Sequence, residues 1–487
     1  MDRLKEKTAR GLMWGGLNNG TMQVLNLLIG IVILRHLTPY DTGLIGMLAI
    51  FSAVAGNLQS SGFSTALINE KAPTAAQYNS VFWFNILVSG FIYLLLFFSA
   101  PLIAWFFHQP RLTSLSRFLF LSFFISSFGI STNAFMVKNM MNREITIVNL
   151  VALTLSGLTA ILMALGGMAY WSLACQQVVN ALLLVLGRFC FVRWRPSLHI
   201  SFDYIRQTFS FSMKILVTMI VNTVNQNLLT VIFGRLFRDA RVVGNFFQAY
   251  KWDAMAFQTV GGMLQQVAQP VLVSVRDEKD RELQVFRKML RFTSFLSFPA
   301  LFGLALVSRE FILCTIGDAW TDCVPLLQIL CLSGAFMPLY TLYQNLVISH
   351  GRSDVNMWLN IGQIALQLVI ILLVWREGMT AMVVAYTLFN ILWLCAWQPF
   401  ARRLIGLRTL DMLKDTVPFL LISATVMALT YVLTVPLLHS LSAIFSPLSS
   451  LIILLVRIVV AAVLYFAALR LLHVAILQEC LQFIRKK

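Results

Sequence analysis

Charge is what this 487-residue chain has least of. Only 12% of its residues are Asp, Glu, Lys or Arg, and 59% are hydrophobic. A water-soluble domain carries about 25% charged residues. The supply here cannot cover a water-facing surface, and the mean hydropathy of +0.79 agrees. Acids are scarcer still, 20 against 37 Lys plus Arg, for a net charge of +17. In a soluble chain that excess would suggest a nucleic-acid partner; in an apolar one it reports cytoplasmic loops rich in Lys and Arg. The seven cysteines form no CxxC pair and sit mostly inside apolar segments, so they read as small buried hydrophobes. A bridge between Cys314 and Cys323, near one membrane face, is not favoured. There is no GxxxxGK[ST] loop, no HExxH, no Asp-x-Asp pair and no metal-spaced group among the six histidines. ATP hydrolysis and metal catalysis therefore have no motif here. No loop is long enough to hold a catalytic domain, and the chain reads as a non-enzyme without a cofactor.

What is present is a series of apolar stretches about 20 residues long, the length that crosses a bilayer as a helix. The predicted fold class is an all-α polytopic membrane protein. Apolar windows bounded by charge, Gly and Pro give fourteen spans, near 12–34, 43–67, 79–100, 115–137, 146–166, 169–190, 210–234, 242–268, 292–313, 323–349, 356–375, 379–400, 416–438 and 449–472. The eighth is interrupted by Lys251 and Asp253. The charged N-terminus followed by Gly11 to Leu34 is too long for a signal-peptide core and has no small-residue cleavage site behind it. With both termini cytoplasmic, the cytoplasmic side holds 27 Lys plus Arg and the opposite side 8. Losing or adding one helix midway would scramble that bias. The dense run from Arg276 to Glu282, with Arg287, Lys288 and Arg291 beyond it, reads as a solvated connector on anionic lipid.

The first twelve spans repeat. Asn26 corresponds to Asn225, Gly43 to Gly244, Leu121-Ser122 to Leu332-Ser333, Gly167-Met168 to Gly378-Met379 and Asn180 to Asn390. Each match is weak alone, but all fall in one order and at similar depth. Six spans per half is an even number, so the halves run in parallel, an organisation found in transporters with substrate sites between the repeats. The expected division is a six-helix lobe over 1–200, a second over 201–402, and two further helices with a tail over 403–487.

Polar groups in hydrocarbon are costly, so their positions inform. Asn19, Gln23 and Asn26 share one face of span one, and Lys214, Asn222 and Asn225, with Gln226 beside them, form a similar stripe in span seven. Span eight adds Gln248, Lys251 and Asp253, and span two adds Gln59 with Ser52 and Asn57. A single Asn or Gln is commonly interhelical glue; as a set these residues suggest a wet cavity. Asp253, two positions from Lys251, points to a different helical face and is a poor partner for it. Lys251 must snorkel, pair with another helix, or meet water and an anionic ligand. Arg457, in span fourteen, reads as a headgroup or interhelical contact.

The string Leu37-Thr38-Pro39-Tyr40-Asp41-Thr42-Gly43, leading to Gly62-Phe63-Ser64-Thr65-Ala66-Leu67, resembles the L-x-P-x-x-x-G … GFxxAL pattern of the MOP superfamily polysaccharide exporters. Phe298-Pro299-Ala300-Leu301-Phe302-Gly303, Gly317 with Trp320, Pro325-Leu326-Leu327 and His350-Gly351-Arg352 are similar to that family's ninth-to-tenth span signature. The closest group is the Wzx-type lipid-linked oligosaccharide flippases, in the colanic-acid-exporter-like branch. Thr42 departs from the pattern, since an aromatic residue is common before the glycine. The resemblance implies two six-helix lobes around a cavity lined by spans one, two, seven and eight. It also implies a bacterial inner-membrane location and an undecaprenyl-diphosphate-linked oligosaccharide as substrate, moved by alternating access. Membrane lipids, a coupling ion (Na⁺ or H⁺) and polysaccharide polymerases are compatible partners; nucleic acid is not. An ion-coupled multidrug exporter of the same superfamily is the main alternative, and a membrane-embedded glycan polymerase lacks the large periplasmic loop it would need.

The orientation is directly testable. Alkaline phosphatase fused after Met379 should be active and after Arg408 inactive; the reverse pattern would overturn the topology.

Overall fold

Thr38 donates both its N–H (2.9 Å) and its hydroxyl (2.7 Å) to Asp41 Oδ2. This local pairing of Thr and Asp, with Pro39 at the first helical position, starts helix α2 (Pro39–Ser60). In the computed structural model, which describes residues 20–60, 63–197, 203–442, 449–472 and 476, α2 follows α1 (Gly20–Leu34). The remaining helices of the first half are α3 (Phe63–Asn69), α4 (Ala75–Phe107), α5 (Leu112–Ser127), α6 (Ile130–Lys138), α7 (Asn142–Leu165), α8 (Tyr170–Phe191) and α9 (Asp203–Leu236). After them come α10 (Ala240–Val275), α11 (Lys279–Thr315), α12 (Cys323–Gly334), α13 (Met337–Ser349), α14 (Ser353–Val374), α15 (Met379–Ile405), α16 (Thr409–Ser442) and α17 (Ser449–Leu471). The described residues contain no strand.

Over the described residues each expected span falls mainly on helix, but not every helix is equally apolar. Ten described spans are long and apolar enough to cross a membrane, and α5 with α6, bent by 43°, makes an eleventh. The other three positions differ for physical reasons. Only fifteen residues of α1 are described, and α9 and α10, at 34 and 36 residues, are long enough but carry the polar side chains. The α10 helix runs unbroken through Lys251 and Asp253. The lipid-facing surfaces are plain: Phe91, Phe98, Leu102 and Trp105 of α4 share one face and are 66–73% exposed. A contiguous apolar face of that kind needs hydrocarbon around it. The protein is a multi-pass membrane protein.

Packing divides the chain into two units, Met1–Gly244 and Asn245–Lys487. In the first, α5 packs on α4 and α8, α7 on α8, and α9 on α2, α3 and α4. In the second, α11 packs on α12, α16 and α17, and α15 on α12 and α14. The repeat boundary expected near residue 200 precedes α9, whereas packing keeps α9 with the first unit. Two of the repeated spans, the fourth (α5–α6) and the tenth (α12–α13), are interrupted midway. At the second break a side chain takes up a carbonyl, Ser297 Oγ donating to Ala335 O at 2.6 Å; at the first, Gly129 O accepts Asn133 N–H at 3.0 Å, and Arg188 Nη1 adds a bond to it at 3.2 Å. Such re-satisfaction is what lets a span bend inside hydrocarbon.

None of the six described cysteines is in a disulfide, so Cys314 and Cys323 form no bridge. Cys323 and Cys331 are buried as expected, but Cys190 and Cys395 are exposed, a correction that follows from their places on outward faces of α8 and α15. Cys480 lies outside the described residues.

The repeated glycines have a steric reason. The first turn of α2 and the first turn of α10 cross at backbone distance within the first unit. A Cβ on Gly43 would overlap the Ala240 carbonyl oxygen, and one on Gly244 would overlap the Pro39 carbonyl oxygen. The contact is reciprocal, with positions of one half touching their counterparts' partners in the other. Asp239 caps the α10 end, its Oδ1 accepting from Arg241 N at 2.8 Å, as Asp41 serves α2. Gly43→Ala or Gly244→Ala should each lower stability by about 1–3 kcal/mol, the usual overpacking cost. Gly56→Ala, where a Cβ meets nothing within 4 Å, supplies the comparison on the same helix. Thermal unfolding in detergent measures this, and wild-type stability of both variants would refute the close approach.

Candidate functional site

The polar residues singled out by sequence separate into two groups. Gln23 and Asn26 on α1, Asn222 and Gln226 on α9, and Lys251 on α10 are exposed, and Asn225 is half-buried. Asn222, Asn225 and Gln226 occupy one α9 face by spacing, while Leu229, Thr230 and Phe233 are buried. Asn19 and the side chain of Lys214 lie outside what the structure describes.

The second group is buried. Gln59 donates Nε2 to Phe123 O at 2.8 Å, which ties α2 to α5 and makes Gln59 glue rather than lining. Its neighbour Asn57 reaches Thr223 Oγ1 on α9 at 2.5 Å. Gln248 is 1% exposed and its Nε2 has no partner among the described atoms. Asp253 is likewise buried. It turns into the second unit against Gly334 of α12, where a Cβ would collide with its carboxylate, and it is hydrogen-bonded with the Cys331 thiol. Its Oδ1 has no partner. Lys251, two residues earlier, is exposed with no acidic partner among the described residues. The two charges are therefore on separate faces, as their spacing requires.

Around Asp253 lies a polar cluster that sequence reasoning passed over. Tyr386 of α15 is hydrogen-bonded with the side chains of Asn390 and Gln367, and Gln363 Nε2 donates to Asn390 Oδ1 at 2.9 Å. Tyr340 of α13 donates to the Asn390 carbonyl. The signal was present: Gln363 and Gln367 are four apart on span eleven, and Asn390 was the repeat partner of Asn180. In the first unit Asn180 Oδ1 accepts from Ser156 Oγ at 3.5 Å, so both asparagines join neighbouring helices of their own half.

A feature with no sequence signal is an apolar cavity of about 690 Å³ bounded by α11, α16 and α17. Pro299, Gly303, Met427, Leu454, Ala461 and Phe466 are among its walls, and Arg457 is its one cation. That guanidinium is already matched. It donates to Glu310 Oε2 at 2.8 Å and Thr434 Oγ1 at 3.2 Å, with the Tyr431 ring 5.4 Å away. Arg457 is thus an interhelical contact, and the cavity it borders stays apolar. Among the described residues no cluster of His, Cys, Asp or Glu is arranged to hold a metal.

A family model described as polysaccharide biosynthesis protein matches residues 32–325. The chain belongs to that family. It is 25% identical over 364 residues to the lipopolysaccharide biosynthesis protein WzxC of Escherichia coli, covering 74% of this chain and 73% of the relative. It is also 25% identical to the teichuronic acid biosynthesis protein TuaB of Bacillus subtilis over 71% of this chain and 70% of that one. Among solved structures it shares the fold of the lipid II flippase MurJ, with a TM-score of 0.68 at 14% identity, across 95% of this chain and 99% of that one. A multidrug-resistance MATE transporter of the MOP superfamily gives 0.66 at 12% identity, over 79% and 94%.

The Arg457–Glu310 pair makes a quantitative expectation. Arg457→Ala leaves a buried carboxylate alone and should cost about 3–5 kcal/mol, whereas replacing both with Met should restore most of the loss. Thermal unfolding of the purified wild type and the two variants measures this, and equal stability of the single and double variants would contradict it.

Proposed function

We propose that the chain translocates an undecaprenyl-diphosphate-linked oligosaccharide, an O-antigen or exopolysaccharide repeat unit, across the bacterial inner membrane by alternating access. The observation that carries this reading is the apolar cavity among α11, α16 and α17, lying in a chain whose relatives are named for lipopolysaccharide and teichuronic acid biosynthesis. A transporter for a soluble cargo has no need of a hydrocarbon-lined compartment of about 690 Å³; a polyprenyl chain does. The likeness in fold to a lipid II flippase supports the same reading. The second, multidrug-exporter reading draws on the MATE likeness, but that match leaves about a fifth of the chain uncovered.

The cargo's three chemical parts each find suitable groups. The diphosphate calls for a cation, and Lys251 is an exposed one on a long helix with no acidic partner among the described residues. The glycan calls for amide donors and acceptors, which Gln23, Asn26, Asn222, Asn225 and Gln226 supply. The tail takes the apolar cavity. Asp253 is a buried carboxylate with no cation beside it among the described residues, and a coupling H⁺ or Na⁺ is assigned to it. Both termini are assigned to the cytoplasm and the crossings number fourteen. Polysaccharide polymerases would receive the flipped unit.

Lys251 tests the reading. Lys251→Ala should reduce surface glycan by about 10- to 100-fold, the worth of one hydrogen bond to a charged group at ~1.5–3 kcal/mol, with membrane abundance unchanged. Lys251→Arg should keep part of the activity and Lys251→Glu should be worst. Normal glycan from a well-folded Lys251→Ala protein would remove Lys251 from the mechanism.

A further inference from the structure

The end of α15 and the start of α16 enclose a cleft of about 580 Å³ that the transport reading does not use. Its walls are of two kinds. Cys395, Pro399 and Met412 are apolar, and Arg402 and Arg403 are cationic. Gln398, also in the wall, has its amide fully engaged: Oε1 accepts from Tyr343 OH at 2.8 Å and Nε2 donates to Leu407 O at 3.0 Å. Thr409 adds an exposed hydroxyl, so the open polar chemistry of the cleft is that of the two arginines and this one hydroxyl.

The acids nearby are already taken. Asp415 is held by Arg287 Nε at 2.7 Å and Arg291 Nε at 3.5 Å, and Asp411 lies 3.6 Å from Arg287. Both arginines belong to α11, so the carboxylates of α16 face away from the cleft's own cations. Arg402, Arg403, Arg408 and Lys414 are exposed and have no acidic partner among the described residues. Four positive charges at one helix junction have no counter-charge among the described residues.

A second observation says what sort of anion fits. Leu388, Leu392, Cys395 and Pro399 stand at i, i+4, i+7 and i+11 of α15, one continuous stripe. Leu388 and Leu392 are 55% and 68% exposed and Cys395 is exposed, so the stripe is a hydrocarbon-facing track that runs into the cleft. Pro399 lacks an N–H, which frees the Cys395 carbonyl from its helical partner and leaves an acceptor at the top of the track. Cations at the end of an apolar groove, with one free carbonyl between them, match a phosphate headgroup carrying a hydroxyl, with acyl chains trailing along the helix. Basic pockets between membrane helices bind anionic lipid heads in this way.

We propose that the cleft between α15 and α16 is a binding site for an anionic phospholipid of the phosphatidylglycerol class, its phosphate on Arg402 and Arg403 and an acyl chain along Leu392 and Leu388. The site is separate from the cargo's groups, and the proposal depends on the membrane placement of α15 alone. The orientation proposed above puts it in the cytoplasmic leaflet.

Native mass spectrometry of the purified full-length protein, released from mixed phosphatidylcholine and phosphatidylglycerol vesicles, tests it. Wild type should retain phosphatidylglycerol in preference to phosphatidylcholine. Arg402→Ala/Arg403→Ala should weaken that retention about tenfold or more, as loss of charge-assisted bonds implies, and Arg402→Lys/Arg403→Lys should keep most of it. Arg193→Ala, at a cationic position of the first unit, should leave it unchanged. Thermal unfolding in phosphatidylcholine alone, equal for all variants, shows that the fold is intact, and single Arg403→Gln serves where the double variant is destabilised. Equal retention by the Ala variants would overturn the proposal. Displacement of the lipid by millimolar inorganic phosphate would also overturn it, since the site would then read a bare anion.

Discussion

Hydrocarbon offers polar groups nothing to bond to, and that single constraint sorts every uncommon residue of this protein. A polar side chain in a span either finds a protein partner or faces water. Gln59, Asn57, Asn180 and Ser297 take the first course, each bonding across to another helix. Asn26, Asn222 and Lys251 are exposed, while Gln248 Nε2 and Asp253 Oδ1 are exceptions, buried with no partner among the described residues. Arg457 shows how strict the rule is: its guanidinium is surrounded by Glu310, Thr434, the Leu306 carbonyl and the Tyr431 ring. The backbone obeys as well. Where α12 gives way to α13, the Ser297 hydroxyl takes up the Ala335 carbonyl, and where α5 gives way to α6, Gly129 O keeps its bond from Asn133 N–H and gains one from Arg188.

Much of this was legible from residues alone because the signals are local. Helix positions follow from apolar runs, and the sidedness of Lys251 and Asp253 follows from a two-residue spacing on a helix. The Thr38–Asp41 pairing joins residues three apart. The resemblance carried by Gly43 and its flanking residues pointed to the family, which the match over residues 32–325 shows. Other features depend on residues far apart in sequence. Glu310 and Arg457 are 147 positions apart, and nothing near either names the other. The bed of Asp253 is made by Gly334 and Cys331 of α12 and by Tyr386 of α15, two helices far from α10 in sequence. Gln59 and Gln248 belonged to polar stripes, yet their burial is set by how α2 and α10 rotate in the packed unit. Periodicity gives a face but not what covers it.

The two terminal helices illustrate the division of labour that the repeat permits. Being outside the duplicated twelve, α16 and α17 have no counterpart to resemble, and sequence comparison within the chain is silent about them. Packed on α11, they create the apolar cavity and also hold the acids that engage Arg287 and Arg291. One pair of helices thus supplies a hydrocarbon-lined compartment and, at its other end, an electrostatic tie that leaves α15 with unmatched cations.

The crossing of the two helix starts has a genetic consequence. In a symmetric dimer, one residue change appears on both sides of a self-complementary contact at once. Here the two halves of such a contact, Gly43 over Ala240 and Gly244 over Pro39, are written at separate codons of one chain. Each half can drift or be altered alone. A methyl group can be placed on one side of the crossing while the other keeps its bare backbone, an asymmetric state that no homodimer of identical chains could display.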